Sequence, residues 1–131
     1  MRKLSFLLYL TILVITVSFI SCTHKHDYSD KLQRARDVVE NYPDSALMIL
    51  DSLIVSELDD RHINDYHLLY FQAKDKSYKD ISSDTVILQV KEYYLSKHDL
   101  ENTALATYYS GRVLQAQNKN KESMKEYLEA V

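Results

Sequence analysis

Hydrophobic and polar positions divide this chain of 131 residues into one unbroken apolar run and a series of short periodic stretches. The run extends from Leu4 to Ile20, carries no charge, and follows Arg2 and Lys3. A basic flank, an apolar middle and a small residue at the end form the pattern of an export signal. Residues 23–28, Thr-His-Lys-His-Asp-Tyr, have no periodicity and read as a tether. Helical spacing starts near Ser29, with Leu32, Ala35, Val38 and Val39 on one face. Asn41-Tyr42-Pro43-Asp44 interrupts it. Proline suits the first turn of a new helix, and Asp44 suits the positive end of its dipole. The second predicted helix presents Ala46, Leu47, Ile49, Leu50, Leu53 and Ile54 to a core and fades near Ser56.

Asp59 and Asp60 open a third helix, which aligns Ile63, Tyr66, Tyr70, Ala73 and Ser77 and runs to about Tyr78. Ser82-Ser83-Asp84 signals the start of a fourth, carrying Val86, Ile87, Val90, Tyr93 and Tyr94. His98-Asp99 ends it. A fifth helix spans about Leu100 to Gln117, and Asn118-Lys119-Asn120 precedes a sixth that reaches Val131. Six helices with short breaks predict three antiparallel hairpins. Their starts, near 29, 60 and 100, are unevenly spaced, so any repeat is degenerate.

Composition narrows the picture further. Gly111 is the only glycine and Pro43 the only proline. An all-β fold needs many turn residues, and a phosphate-cradling loop needs closely spaced glycines. The expectation is therefore all-α. Removing residues 1–21 takes away Arg2 and Lys3 and no acid, which moves the formal charge from −3 to −5 over 110 residues. That length suffices for one compact domain. An acidic surface argues against nucleic acid or anionic head groups as partners.

The end of the apolar run is chemically specific. Phe19-Ile20-Ser21-Cys22 resembles a bacterial lipobox, and phenylalanine in place of the usual leucine resembles the looser lipoboxes of Bacteroidetes. The resemblance implies that Cys22 is lipidated and becomes the first mature residue. Residues 1–21 are then a signal peptide, 22–28 the lipidated cysteine and tether, and 29–131 the helical domain. The competing reading keeps the run as a membrane anchor. Its 17 residues lie at the lower edge of the roughly 17–25 that cross a bilayer, and no basic cluster follows. Acyl chains contribute about 0.8 kcal/mol per buried methylene, so two or three on one cysteine anchor durably. Cys22 is the only cysteine, and once acylated it leaves no thiol for a disulfide or a metal. The implied address is the bacterial cell envelope, lipid-anchored to the inner or outer membrane, on a periplasmic or surface face.

A second resemblance lies in the third hairpin. Ala106-Thr107-Tyr108-Tyr109-Ser110-Gly111-Arg112-Val113 is similar to the first helix of a tetratricopeptide repeat, with Gly111 where two helices approach closely. Ser123, Tyr127 and Ala130 follow at the small, aromatic and small positions of the second helix. Thr107 replaces the frequent tryptophan, and Asn118 stands where a turn glycine is common. Pro43-Asp44-Ser45-Ala46-Leu47, with Leu50 and Leu53, resembles the second helix of an earlier repeat. With Tyr66 to Lys76 and Ser83-Asp84, these segments resemble Bacteroidetes lipoproteins that carry tetratricopeptide-like repeats. The resemblance implies a short right-handed solenoid of stacked antiparallel hairpins. In that family the first helix of each hairpin lines a groove. Carried onto the third hairpin, this places Leu105, Tyr108, Arg112 and Gln115 on the groove stripe. An aromatic ring, a guanidinium and an amide side by side could grip an extended peptide or acidic segment. The lysine and asparagine set with which some such repeats clamp a C-terminal carboxylate is absent.

Other candidate chemistry reads as structural. The tyrosine pairs 66/70, 93/94 and 108/109 fall on apolar helix faces, where tyrosine commonly packs between helices. His24 and His26 on a tether lack the further ligands a structural metal site needs, and His62 and His67 do not converge on a helix. No nucleophile stands with a base at a catalytic spacing, so no enzyme, cofactor or metal is implied. The expected role is a lipid-anchored envelope scaffold that binds a protein or peptide through its groove. The alternative from another class is a glycan-capture lipoprotein resembling the starch-binding outer-membrane proteins, although tryptophan is absent here. The sixth helix offers Met124, Tyr127, Leu128 and Val131 as an apolar face, and repeat stacks need a polar cap. Either the chain is the N-terminal fragment of a longer repeat protein, or this face self-associates.

Overall fold

The computed structural model describes Met1 and residues 27–131. Apart from Met1, the signal peptide expected over 1–21 lies outside the described residues, as do Cys22, His24 and His26. The described chain is all-α. Helix α1 covers residues 27–38, followed by α2 (Pro43–Asp51), α3 (Asp60–Lys76), α4 (Val86–Ser96), α5 (Leu100–Ala116) and α6 (Asn120–Glu129). A 3-10 turn, Val55–Glu57, joins α2 to α3. Helices adjacent in sequence pack on one another, and α3 also touches α5, an arrangement consistent with helical hairpins. Arg36 reaches Asp65, while Glu40, just beyond α1, bonds to Gln72 and Lys76. Advancing along both helices together, these pairs show that α1 and α3 run in the same direction.

Helix α1 begins earlier than its apolar spacing predicts. Asp27 and Tyr28 are already helical, so the tether expected over 22–28 is shorter than expected. Tyr28 is buried in the core, and its hydroxyl donates to Glu57. The reason is periodic: positions 28, 32, 35 and 39 share one face. At the other end, α2 stops at Asp51, short of Ser56. The Ser52 hydroxyl turns back onto the Ile49 carbonyl at 2.6 Å, after which Leu53 enters the core and Ile54 faces solvent.

Two apolar clusters meet across α3. One gathers Tyr28, Leu32, Ala35 and Val39 of the first hairpin with Leu47, Leu50 and Leu53. The other gathers Ile81, Ile87, Val90, Tyr94, Ala106, Tyr109 and Val113. Helix α3 supplies Leu69 and Ala73 to the first and Leu68 and Phe71 to the second. The single seam expected from Ile63, Tyr66, Tyr70, Ala73 and Ser77 is thus corrected. A helix between two hairpins buries two faces, and Tyr66 and Tyr70 pack only partly against the first cluster. Each fully buried leucine or isoleucine here contributes about 1.5–3 kcal/mol relative to exposure.

The helix ends follow local chemistry. Asp59 caps α3 by accepting from the His62 amide at 3.0 Å, and Asp99 caps α5 by accepting from the Asn102 amide at 3.1 Å. Ser82-Ser83-Asp84 does not cap α4, which starts at Val86 after Thr85, whose side chain makes no capping bond. Asp84 instead pairs with Lys74, and Asp80 accepts from the Ser82 amide at 2.9 Å. Helices α3, α4 and α5 all close through a residue with positive φ: Tyr78 (55°), His98 (56°) and Asn118 (61°). The next amide in each case bonds back to the carbonyl five residues earlier, as in a Schellman closure.

Candidate functional site

Helix α5 is positioned against α6 by three side chains. Ser123, fully enclosed, donates to the Gly111 carbonyl at 2.9 Å. A Cβ on Gly111 would sit 2.6 Å from Cε1 of Tyr127, so only glycine admits that ring. The Tyr127 ring then lies 5.6 Å from the Tyr108 ring, and its hydroxyl donates to Gln115 Oε1 at 3.0 Å. The small and aromatic residues of the third hairpin therefore set the α5–α6 distance and place the face on which the candidate groove residues stand.

The stripe Leu105, Tyr108, Arg112 and Gln115 is divided by this packing. Leu105 is half-buried against the second cluster, and Tyr108 is 43% exposed. Both line a recess of about 400 Å³ shared with Tyr127 and Ala130. Arg112 and Gln115 line a separate recess of about 310 Å³ with Asp75, Tyr78 and Ile81. Tyr127, bonded to Gln115, stands between the two groups.

The two recesses differ electrostatically. Arg112 forms a bidentate pair with Asp75, with Nε–Oδ2 at 3.0 Å and Nη2–Oδ1 at 2.8 Å, and its Nη1 donates to Gln115 Oε1 at 2.8 Å. Hydrogen bonding to Asp75 raises the guanidinium further above its ordinary pKa. The charge of Arg112 is therefore engaged within the fold, joining α3 to α5, and its planar fork is matched to one carboxylate. The Tyr108 side is the more apolar contact surface. Burial first, and then Asp75, push the neighbouring Tyr109 phenol up, so it stays neutral at physiological pH.

The histidines separate as their spacing predicts. His62 Nδ1 lies 2.8 Å from Asp59, whereas the half-buried His67 meets the Tyr66 ring edge-on at 5.3 Å between centroids. Among the described residues no cluster of three or more metal-ligating side chains occurs, and no helix is long and apolar enough to cross a membrane.

One concentration of charge escaped the sequence reading. Arg36, Arg61 and Lys97 border a cleft of about 640 Å³ formed by α1, α3, the end of α4 and the start of α5. These residues come from three helices, and the only local signal for them is the four-residue spacing of Arg61 and Asp65. Comparison with family models, curated proteins and solved structures found no match to this chain.

Proposed function

We propose that this chain is a lipid-anchored scaffold of the bacterial cell envelope that binds a protein or peptide partner. In this reading the three hairpins form a short right-handed solenoid of tetratricopeptide type, and Cys22 carries the lipid. The observation that carries the reading is Tyr108. Large, amphipathic and 43% exposed, it stands over the recess it shares with Leu105 and Tyr127. Aromatic side chains held at such a recess are the usual energetic anchors of protein contacts. The close α5–α6 approach at Gly111 and Ser123 supports the repeat assignment, and the Leu4–Ile20 run ending in Ser21-Cys22 supports the anchor.

A photo-crosslinking residue at position 108 should capture one envelope protein in cells, and Leu105→Ala should weaken the capture. Absence of a defined adduct from position 108, with the chain correctly localised, would overturn the binding role. Intact-mass analysis tests the anchor. Wild type should begin at an acylated Cys22, and Cys22→Ala should lose the acyl mass.

A second reading concerns α6, whose Met124 and Leu128 are 59% and 72% exposed. This apolar face favours association with a second copy through α6. Sedimentation of the wild type as a dimer, and of Leu128→Lys as a monomer, is the expected outcome.

A further inference from the structure

Three contacts gather one end of the helical array around the start of α1. The Tyr28 hydroxyl donates to Glu57 in the α2–α3 connection. Ser29, Arg61, Lys97 and Asp99 border one cleft, so the starts of α1, α3 and α5 and the end of α4 lie together. Glu101 and Ala130 share a recess, which adds the end of α6. The opposite end gathers the remaining turns through Glu40 with Lys76, Asp44 with Lys79, and the Gln117 side chain on the Ser82 carbonyl. Residues 23–26 alone separate Cys22 from Asp27, the first described residue of α1. The five chain steps from Cys22 to Asp27 span about 18 Å at full stretch. Helix α5 has 17 residues and is therefore about 25 Å long. An anchor at Cys22 thus reaches the near end of the array and falls short of the far one.

We propose that the near end of the array rests on a lipid leaflet, with Ile54 and Leu100 in contact with zwitterionic head groups. This inference rests on the reading of Cys22 as a lipid anchor. Exposed aliphatic side chains at this end are its second support. Ile54, in the α2–α3 connection, is 52% exposed, and Leu100, at the start of α5, is 79% exposed. Held at high local concentration by the anchor, each adds apolar burial without a separate association step. Charge selects the lipid. Helices α1, α3 and α5 all start here, and acids gather at their positive ends. These are Asp27 and Asp30, Asp59 and Asp60, and Asp99 and Glu101, against Lys31, Arg61 and Lys97. The surplus of acid favours a leaflet without net charge over an anionic one. The Tyr108 recess, bordered by Glu101 and Ala130, then opens on the bilayer side, and the Arg112 recess with Tyr78 opens away from it.

The test uses the full acylated chain in vesicles that contain a lipid with a nitroxide on its head group, and a fluorophore on one introduced cysteine. Ser56→Cys reports the near end, and Tyr42→Cys and Asn120→Cys report the far end; all three positions are exposed. Circular dichroism verifies the fold of each variant. In zwitterionic vesicles the probe at position 56 should be quenched most. Adding Ile54→Ser and Leu100→Ser should lower that quenching about twofold, as expected for losing two apolar contacts. Anionic vesicles at low salt should lower it as well. Equal quenching at the three positions, or the strongest at position 42 or 120, would overturn the proposal. So would quenching at position 56 that is unchanged by the two serine substitutions or stronger in anionic vesicles. Uniform quenching of an acylated, vesicle-bound chain would remove this orientation and leave the anchor standing. A chain without acyl mass that stays in solution would remove both.

Discussion

Helices α3 and α6 are both amphipathic, but the fold treats them differently. Helix α3 buries Leu68, Leu69, Phe71, Gln72 and Ala73 and faces a cluster on each side. Helix α6 buries Ser123 and leaves Met124 and Leu128 exposed. Intrinsic helix preference does not separate them, since both are rich in good helix formers. Position does: a helix inside a stack meets neighbours on two sides, and one at the edge meets them on one. Apolar area secures α3. Helix α6 is secured by a few specific contacts, namely the Ser123–Gly111 bond, the Tyr127 ring over Gly111, and the pairing of Lys91 with Glu126 and Glu129 at 2.7 and 3.3 Å. Burial lowers the Lys91 pKa, but the two glutamates outweigh it and raise the net value, so this ion pair persists at physiological pH. An edge element built this way depends on individual residues more than on total area.

The sharpest test of this contrast compares the same substitution in the two helices. Leu69→Ala should destabilise the fold by about 2–5 kcal/mol, because Leu69 is enclosed and its removal leaves a cavity. Leu128→Ala, measured at a dilution at which the chain is monomeric, should stay within about 0.5 kcal/mol, as expected for a side chain exposed in the single chain. Urea denaturation reads both. Comparable losses in the monomer would break the contrast.

Gly111→Ala tests whether α6 rests on specific contacts. The new methyl would meet the Tyr127 ring at 2.6 Å, and displacing that ring should cost about 1–3 kcal/mol. Better helix propensity returns up to about 1 kcal/mol, so net destabilisation is expected. In a Tyr127→Ala background the same change should become neutral or stabilising. That reversal identifies the ring, and not α5 itself, as the source of the loss. Additive effects in the two backgrounds would refute the arrangement.

The closures of these helices give a smaller, opposite effect. Tyr78 ends α3 at φ 55°, a conformation that costs a bulky L-residue about 1–2 kcal/mol, whereas Asn118 adopts φ 61° with less strain. Tyr78→Gly should raise stability by about 0.5–1 kcal/mol after the extra unfolded-state entropy of glycine is included. Asn118→Gly should change it by a few tenths at most. Equal gains from the two would show that the closures are not strained differently.

What the sequence revealed and what it concealed follow from the range of the interactions. Helix α5 spans Leu100–Ala116, close to the predicted Leu100 to Gln117, because caps and periodicity act within a few residues. The Gly111 approach was legible only through the resemblance of Ala106 to Val113 to the first helix of a tetratricopeptide repeat, which implies a close helix contact at that glycine. Tyr28 was missed because its relation to Leu32 begins in a polar stretch. The second face of α3 was missed because single-stripe logic assumes one neighbour. Arg112 was read as free because its partner, Asp75, lies 37 residues away. The cleft formed by Arg36, Arg61 and Lys97 exists only once three helices converge, which no local pattern encodes.

A final consequence of covering α3 is a dependence on pH that α6 does not share. Burial lowers the pKa of His67 on α3 below its ordinary value of 6.5, so the fold favours the neutral ring. The unfolded chain binds a proton at this residue more readily than the folded one. Stability is therefore complete above about pH 6.5, falls as the pH drops below it, and levels off beneath the lower folded pKa. Helix α6 contains no histidine, and Lys91, its partner on α4, stays protonated throughout this window. The urea midpoint should accordingly be lower at pH 5.5 than at pH 7.5, and His67→Gln should reduce that difference. His67 is only half-buried, and solvent reaching the ring keeps the effect the smallest of the four. An identical pH difference in wild type and His67→Gln would place the titration elsewhere and remove this distinction between the inner and the outer helix.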